Sequence, residues 1–312
     1  MTSPRTLQTL RSNVWAGRVP LDIRLASGDC KTYDQSDAYM ILAPRISYLP
    51  LLLPRLFAFF QSSLIEPDTN SSQGWFSFEG IPLKWPFPIG LLYDLYSGAK
   101  ERLVEETTGK EALPVDGTTA GTLPWRLTLH VSGWPKESLI PLDEGGKILQ
   151  DAFNNSVKEA SHVRHGSAKV IMSLGKDATE QLWEAVQKVD VTLYANASQQ
   201  LVRRRADALK HVPIKVYLPG MPLDSSQGDQ TPGHLKIVLG LIKPVLATRQ
   251  PQTLGTALNT LIPALFPSRR SPLLAYPILH GAIVPLAVGI EELAEYAAYA
   301  DGFLHIAIAM MG

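Results

Sequence analysis

The strongest constraint on the fold is an order of secondary-structure elements that occurs twice in the 312-residue sequence. Near the amino end, apolar and polar residues alternate from Val19 to Leu25, which predicts a half-buried strand. The elements that follow it are a second strand, a helix, a hairpin, a short helix and a last strand, at 39–42, 46–61, 75–85, 88–95 and 124–131. The hairpin is predicted to turn near Glu79 and Gly80. The same order returns near the carboxyl end, beginning with strands at 212–218 and 235–239. A helix that Thr253 caps continues to Leu265, and a hairpin and a short helix follow. The D-G pair at 301–302 turns the chain into the last strand at 303–310. The chain therefore contains two copies of one topology.

A mixed sheet wrapped over one main helix is the β-grasp arrangement of ubiquitin-like domains. Between the two copies, from about 146 to 208, helical periodicity replaces the alternating pattern. Ser3 followed by Pro4 predicts the start of an amphipathic helix. We therefore predict an α+β fold with an N-terminal amphipathic helix and two ubiquitin-like β-grasp domains that flank a small helix-rich domain. The boundaries predicted for the helix, the first, the helix-rich and the second ubiquitin-like domain are 1–14, 15–135, 136–208 and 209–312.

The helix-rich domain has two local signals of its own. Asp177 and Glu180 form a D-x-x-E pattern that predicts a capped helix before Leu182. A further helix is predicted from about Val191 to Arg205. Its basic end, formed by Arg203, Arg204 and Arg205, could contact anionic lipid headgroups or complement the helix dipole, and the sequence leaves both open.

Composition narrows the classes of function. The 29 basic residues balance the 29 acidic ones, which argues against nucleic-acid binding through a basic surface. A single cysteine, Cys30, excludes an internal disulfide and a multi-cysteine metal site, as expected for a cytoplasmic protein. The most apolar segment, Tyr48 to Phe60, is shorter than the about 20 residues of a membrane-spanning helix. Any membrane contact should therefore be peripheral.

Motifs of common catalytic sites are missing from the sequence, including G-x-S-x-G, H-E-x-x-H and paired C-x-x-C. Cys30 could be reactive if Lys31 stabilised its thiolate, but an ordinary loop cysteine is the simpler interpretation. His162 and His165 have i, i+3 spacing, yet zinc takes three or four protein ligands and no thiol or third histidine is nearby in sequence. We expect no catalytic residue, cofactor or metal.

Lys158 is the residue that raises a functional question, in the predicted helix N-N-S-V-K-E-A-S-H-V-R-H-G at 154–166. An advance of about 100° per residue gives one apolar arc, formed by Leu149, Phe153, Val157, Ala160 and Val163. The neighbours of Lys158 on the other side are polar or basic: Asn154, Ser161, His162 and His165. Because no carboxylate stands at i±3 or i±4, we expect an exposed amine without an ion pair. Three other lysines compete as acceptors of a thioester-bound group, Lys147, Lys169 and Lys176.

Several segments of the chain resemble the autophagy protein 5 family. They are V-W-A-G-R-V-P at 14–20, P-R-I-S-Y-L at 44–49, F-E-G-I-P-L-K-W-P-F-P-I-G-L-L-Y-D-L at 78–95, L-P-W-R-L-T-L-H at 123–130, V-K-E-A-S-H-V-R-H at 157–165 and G-F-L-H-I-A-I at 302–308. The long segment around Trp85 is the most specific, followed by the K-E-A motif. The chain departs from the family pattern mainly by longer loops, at 64–74, 105–122 and 220–233.

The resemblance implies a non-enzymatic scaffold of autophagosome formation. Lys158 occupies the position of the family's acceptor lysine, which forms an isopeptide bond with the C-terminal glycine of the ubiquitin-like autophagy protein 12. The conjugate is expected to bind the N-terminal helix of autophagy protein 16. It then acts like a ligase, promoting transfer of autophagy protein 8 from its carrier enzyme to phosphatidylethanolamine. The implied location is the cytoplasm, with peripheral recruitment to the phagophore assembly site membrane.

The resemblance also implies a groove for the partner helix, made by the initial helix and both ubiquitin-like domains. We expect Leu7, Leu10, Val14 and Trp15 to line it, although packing onto their own domain explains them equally well. Two other functions stay open. One is a ubiquitin-like modifier conjugated through its own Gly312, and the other is a hydrolase or transferase whose nucleophile is Cys30.

Overall fold

The computed structural model describes residues 4–32, 36–98, 123–167, 169–172, 175–202, 209–219 and 235–311. A first helix, α1 (Pro4–Ala16), leads into a five-stranded sheet. Its strands are β1 (Arg18–Leu25), β2 (Tyr39–Pro44), β3 (Trp75–Phe78), β4 (Ile81–Pro82) and β5 (Trp125–His130). Their order in the sheet is β2-β1-β5-β3-β4, with β1 parallel to β5 and the other pairs antiparallel.

The second sheet repeats this topology. Its strands are β6 (Ile214–Pro219), β7 (Leu235–Leu239), β8 (Ala275–Leu279), β9 (Ala282–Ile283) and β10 (Leu304–Met310). They lie in the order β7-β6-β10-β8-β9, and again only the central pair, β6 and β10, is parallel. The repeated element order predicted from the sequence is confirmed, and both sheets have the β-grasp arrangement.

Each sheet is covered by one main helix with a buried apolar face. Helix α2 (Leu53–Phe60) packs Leu53, Leu56 and Phe60 into the first core. In the second copy, Thr253 caps helix α8 (Leu254–Leu261), accepting a hydrogen bond from Thr256 N–H as predicted, and Leu258 enters the core. Short helices α3 (Ile89–Tyr93) and α9 (Ile290–Tyr296) follow the two hairpins. Burial of these apolar faces accounts for most of the helical stability.

Both hairpins turn on a residue pair with positive φ. In the first copy these are Glu79 (φ 50°) and Gly80 (φ 79°), where the sequence predicted the turn. In the second copy they are His280 (φ 50°) and Gly281 (φ 81°). Positive φ at both central residues matches the twist of antiparallel strands, and glycine at the second position adopts it without strain.

The middle of the chain is a helical domain with its own core. Its helices are α4 (Lys147–His165), α5 (Lys169–Met172), α6 (Lys176–Lys188) and α7 (Val191–Val202). Phe153 of α4 packs on Trp183 of α6, with 5.4 Å between the ring centroids, and Tyr48 of the first domain packs against both. Val14 and Trp15 at the end of α1 belong to the same cluster. The helical domain therefore shares its core with the elements before it.

Several predicted helix ends were wrong. The helix predicted at 46–61 becomes a 3₁₀ turn, Leu49–Leu52, followed by α2, because Pro50 and Pro54 cannot donate backbone hydrogen bonds. The helix predicted to continue to Leu265 ends at Leu261.

The D-x-x-E capping prediction was also wrong. Helix α6 begins at Lys176 after Gly175, so Asp177 lies inside the first turn, where it still complements the helix dipole. Among the predicted loops, 64–74 contains a 3₁₀ turn, Ser71–Gln73, capped by Asn70. The loops at 105–122 and 220–233 and the basic cluster Arg203, Arg204 and Arg205 lie outside the described residues.

A buried ion pair of the first ubiquitin-like domain also contacts the second. Arg45 Nη2 lies 2.6 Å from Asp94 Oδ1, and both residues belong to the first domain. The other oxygen, Asp94 Oδ2, accepts the backbone N–H of Gly281 at 2.8 Å, in the hairpin turn of the second domain. One carboxylate therefore links the domains across 187 positions of sequence.

Candidate functional site

Helix α4 carries the candidate acceptor, and both its ends are well defined. Asp143 accepts the backbone N–H groups of Lys147 (2.9 Å) and Ile148 (2.7 Å), which satisfies the first turn. These hydrogen bonds lower the pKa of the Asp143 carboxyl. At the other end, Gly166 has φ 64° and its N–H donates to His162 O. The helix is long enough to carry one face into the core and one to solvent.

The predicted apolar arc of α4 is buried throughout: Leu149, Phe153, Val157, Ala160 and Val163. Lys158 is exposed on the other side, as the periodicity predicts. Its amine has no ion pair or hydrogen bond to any residue that the structure describes. One neighbour was predicted wrongly. Ser161 is buried, because the helix meets the second ubiquitin-like domain as well as the helical core.

The residue after Lys158 is a carboxylate, but another lysine binds it. Lys215 Nζ, on β6, lies 2.6 Å from Glu159 Oε2. Two residues before the acceptor, Ser156 Oγ donates to Asp301 Oδ2 at 2.6 Å. The sequence did not predict either contact, because the partners lie 56 and 145 residues away. The D-G pair at 301–302 was interpreted only as a turn.

Asp301 is the centre of a buried polar network. His305 Nε2 lies 2.8 Å from Asp301 Oδ2, and His305 Nδ1 lies 2.7 Å from the hydroxyl of Tyr217. Burial alone would raise the pKa of Asp301, but the imidazole of His305, together with hydrogen bonds from His305, Ser156 and the N–H of Phe303, lowers it below its usual value. His305 is thus a hydrogen-bonded structural histidine.

The residues predicted to line a partner groove differ in accessibility. Leu10 is 38% exposed, whereas Val14 and Trp15 are only 7% and 4% exposed and belong to the core. Leu7 lies on α1, and its side chain is outside the described residues. Packing onto their own domain thus accounts for Val14 and Trp15 in this structure. The contact of these four residues with a partner helix stays a prediction.

A small cavity of about 60 Å³ lies beside this region, where α1, α4, α7 and α9 meet. Arg11 and Trp15 line it from the side of α1. Arg11 Nη2 donates to the backbone carbonyl of Glu295 at 2.6 Å, and its guanidinium lies 5.5 Å from the ring centroid of Tyr296. The first helix is therefore held against the second ubiquitin-like domain.

The structure gives little support to the other sites considered from the sequence, which are Cys30, a metal site, Gly312 and the competing lysines. Cys30 is buried, with Sγ 3.3 Å from Thr32 Oγ1, so it is not presented to a substrate. Within the described ranges, no three His, Cys, Asp or Glu side chains are grouped to hold a metal ion. Gly312 lies outside the described residues, and the N–H of Met311 still donates to Leu274 O. Of the competing lysines, Lys147 and Lys169 are exposed, and Lys176 is 3.6 Å from Glu180.

Comparison with family models accounts for most of the chain. Residues 14–131 match the UblA domain of autophagy protein ATG5, residues 146–204 its alpha-helical bundle region, and residues 211–308 its UblB domain. The chain belongs to the autophagy protein 5 family. The resemblance stated from the sequence is thus confirmed, as is a fold of two ubiquitin-like domains around a helical bundle.

Individual relatives within the autophagy protein 5 family agree over the full length. Autophagy protein 5 of Phaeosphaeria nodorum is 49% identical over 313 aligned residues, and that of Aspergillus clavatus is 47% identical over 328, with 100% of both chains covered in each case. A crystal structure of Kluyveromyces marxianus Atg5 superposes with a TM-score of 0.71 at 20% identity, over 96% of this chain and 98% of that one. Membership of the autophagy protein 5 family supports a role in autophagy.

Proposed function

We propose that this chain is a non-enzymatic acceptor of a ubiquitin-like modifier and that Lys158 is the acceptor residue. The observation that carries the proposal is the free, exposed amine of Lys158 on a helix that is anchored on both sides of it. A neutral amine can attack the thioester carbonyl of a modifier that is bound to a carrier enzyme. The new C–N bond replaces the C–S bond, the thiol of the carrier leaves, and the ammonium proton passes to water.

The modifier that we propose is autophagy protein 12, because Lys158 lies in the K-E-A motif that resembles the family's acceptor segment. We further propose that the conjugate binds the N-terminal helix of autophagy protein 16. As a complex it would promote the lipidation of autophagy protein 8 with phosphatidylethanolamine. Its site of action would be the cytoplasmic face of the phagophore assembly site membrane. None of the helices in the described ranges is long and apolar enough to cross a membrane.

A reconstituted conjugation reaction tests the acceptor assignment. The full chain is incubated with the modifier, its activating enzyme, its carrier enzyme and ATP, and the product is digested for mass spectrometry. We expect a branched peptide at Lys158 and no conjugate with Lys158→Arg. The matched control, Lys147→Arg, changes an exposed lysine on the same helix and should be conjugated as the wild type is.

The result of this reaction distinguishes the acceptor function at Lys158 from the other candidate functions. Persistence of the conjugate in Lys158→Arg would move the acceptor to another lysine. A peptide that joins Gly312 of this chain to a foreign lysine would favour the modifier function. Because an exposed helical position changes the free energy of unfolding by only about 0.5 kcal/mol, loss of conjugation in Lys158→Arg cannot be attributed to unfolding.

A further inference from the structure

The turn of α4 that carries Lys158 is attached to the second ubiquitin-like domain at its N-terminal side. Ser156 Oγ donates to Asp301 Oδ2 at 2.6 Å. The same carboxylate is fixed by His305 at 2.8 Å and by the N–H of Phe303, which donates to Oδ1 at 3.1 Å. Because Asp301 and His305 are buried, this attachment has a rigid base.

A second attachment lies directly after Lys158. Glu159 Oε2 accepts a hydrogen bond from Lys215 Nζ, whose side chain is 16% exposed, against 44% for Glu159. The ammonium of Lys215 also lies 4.0 Å from the ring centroid of Phe303. Lys215 is thus held on two sides, and it fixes Glu159 at a defined place on the second domain.

The third attachment is a close approach without polar groups. Gly302 has φ 90°, a conformation that favours glycine, and a Cβ added to it would lie 3.3 Å from the methyl carbon of Ala160. Larger side chains at either position would push the helix away from the turn. Ala160 therefore sets the distance between α4 and the second domain.

The second and third of these contacts give the K-E-A motif a physical explanation. We infer that Glu159 and Ala160 are positioning residues that seat the acceptor turn on Lys215 and Gly302 of the second ubiquitin-like domain. Lys158 is then the one residue of the motif that points away from this contact. The inference rests on the proposed function of Lys158 as the acceptor.

Positioning matters for this reaction because the amine must reach a thioester on a separate protein. A fixed amine needs less ordering in the complex with the carrier enzyme than an amine on a helix that can move. Loss of the Glu159–Lys215 contact should therefore lower kcat for conjugation and leave KM for the charged carrier nearly unchanged. A partly exposed ion pair contributes little to stability, so the variants should stay folded.

A charge exchange tests the inference with the full chain in the reconstituted reaction. Lys215→Glu and Glu159→Arg are each expected to lower kcat about ten-fold. The double variant, which restores an opposite-charge pair, should recover kcat to within about two-fold of the wild type. Arginine is used at position 159 so that no second acceptor amine is created. Glu184→Arg, which breaks an exposed ion pair with Lys188 elsewhere in the helical domain, is the matched control and should not change kcat.

The possible results are distinct. Unchanged kcat in both single variants, with the wild type conjugated at Lys158, overturns the positioning role and leaves the proposed function intact. Failure of the double variant to recover shows that the enzymes contact Glu159 directly, which also overturns it. A wild-type chain without a branched peptide at Lys158 refutes the proposed function, and the positioning role with it. Denaturant unfolding of each variant confirms that the comparison is between folded chains.

Discussion

Asp94 forms an ion pair with Arg45 at 2.6 Å, and its second oxygen accepts the backbone N–H of Gly281 from the other ubiquitin-like domain. The side chains of Arg45 and Asp94 are almost entirely buried. Hydrogen bonds to a buried charge are strong, and a buried charge that loses its partner is costly. Asp94 therefore contributes to the contact between the domains, beside apolar contacts such as that of Phe87 with Tyr217.

Replacement of this carboxylate should destabilise the whole chain. Asp94→Ala leaves the Arg45 guanidinium buried without its counter-charge, so we expect the free energy of unfolding to fall by about 3–5 kcal/mol. Urea unfolding followed by circular dichroism measures this. The control is Glu184→Ala, which breaks the exposed pair with Lys188 and should change stability by less than about 1 kcal/mol. Equal effects of the two variants would contradict the prediction.

His280 should make the protein sensitive to acid. Burial lowers its pKa from 6.5 to about 3, so the folded chain keeps the imidazole neutral while the unfolded chain protonates it. The free energy of unfolding should therefore fall as pH drops below 6.5, with a slope of about 1.4 kcal/mol per pH unit from this group. The slope ends near the folded pKa.

The variant His280→Asn tests this dependence. Asparagine tolerates the positive φ at this position and removes the titrating group. Unfolding curves recorded between about pH 7 and about pH 4, in steps of about one pH unit, should show a flatter profile for the variant. A parallel profile for His280→Asn would refute the assignment.

Gly255 should not tolerate a methyl group. A Cβ at this position would lie 2.1 Å from the backbone oxygen of Arg269, and backbone cannot move aside as a flexible side chain can. We expect Gly255→Ala to lower the free energy of unfolding by about 1–3 kcal/mol. Gly28→Ala is the control, since nothing lies within 4 Å of its added Cβ. Thermal unfolding midpoints compare the two, and a similar midpoint for both would show that α8 can shift.

The first helix allows core packing to be separated from partner binding. Trp15→Ala removes a buried ring whose centroid lies 4.8 Å from that of Tyr194. We expect the free energy of unfolding to fall by about 3–5 kcal/mol. Leu10→Ala changes an exposed position and should cost less than about 1 kcal/mol. If Leu10 contacts the partner, the same variant should weaken binding of the N-terminal helix of autophagy protein 16, measured by calorimetry. Unchanged affinity would remove Leu10 from the groove.

The sequence predicts the fold well because strands such as β5 alternate buried residues with more exposed ones. The turns at Glu79 and Gly80 and the cap at Thr253 were also visible, since each depends on a local residue type. Helix ends were harder to place. Pro50 shifts one start, and Gly175 rather than an acidic side chain precedes α6, because tertiary packing and local caps compete at such positions.

Only part of the acceptor site around Lys158 could be predicted from the sequence. Helical periodicity predicts that Lys158 is exposed, since its position relative to the apolar arc is a local property. Periodicity could not predict that Ser161 is buried or that Glu159 pairs with Lys215, because both depend on a domain that begins many residues later. Long-range contacts of this kind have no sequence signal in a single chain.

The contact of Arg11 with Glu295 has a consequence for folding during synthesis of the protein. These residues are separated by 284 positions, so a ribosome must have delivered nearly all of the chain before the guanidinium meets its carbonyl. Since domains fold in turn as they emerge from the ribosome, the first helix lacks its contact with Glu295 during most of translation. Messages cut short before that codon would yield chains whose opening helix keeps the core contacts of Val14 and Trp15 but lacks this one.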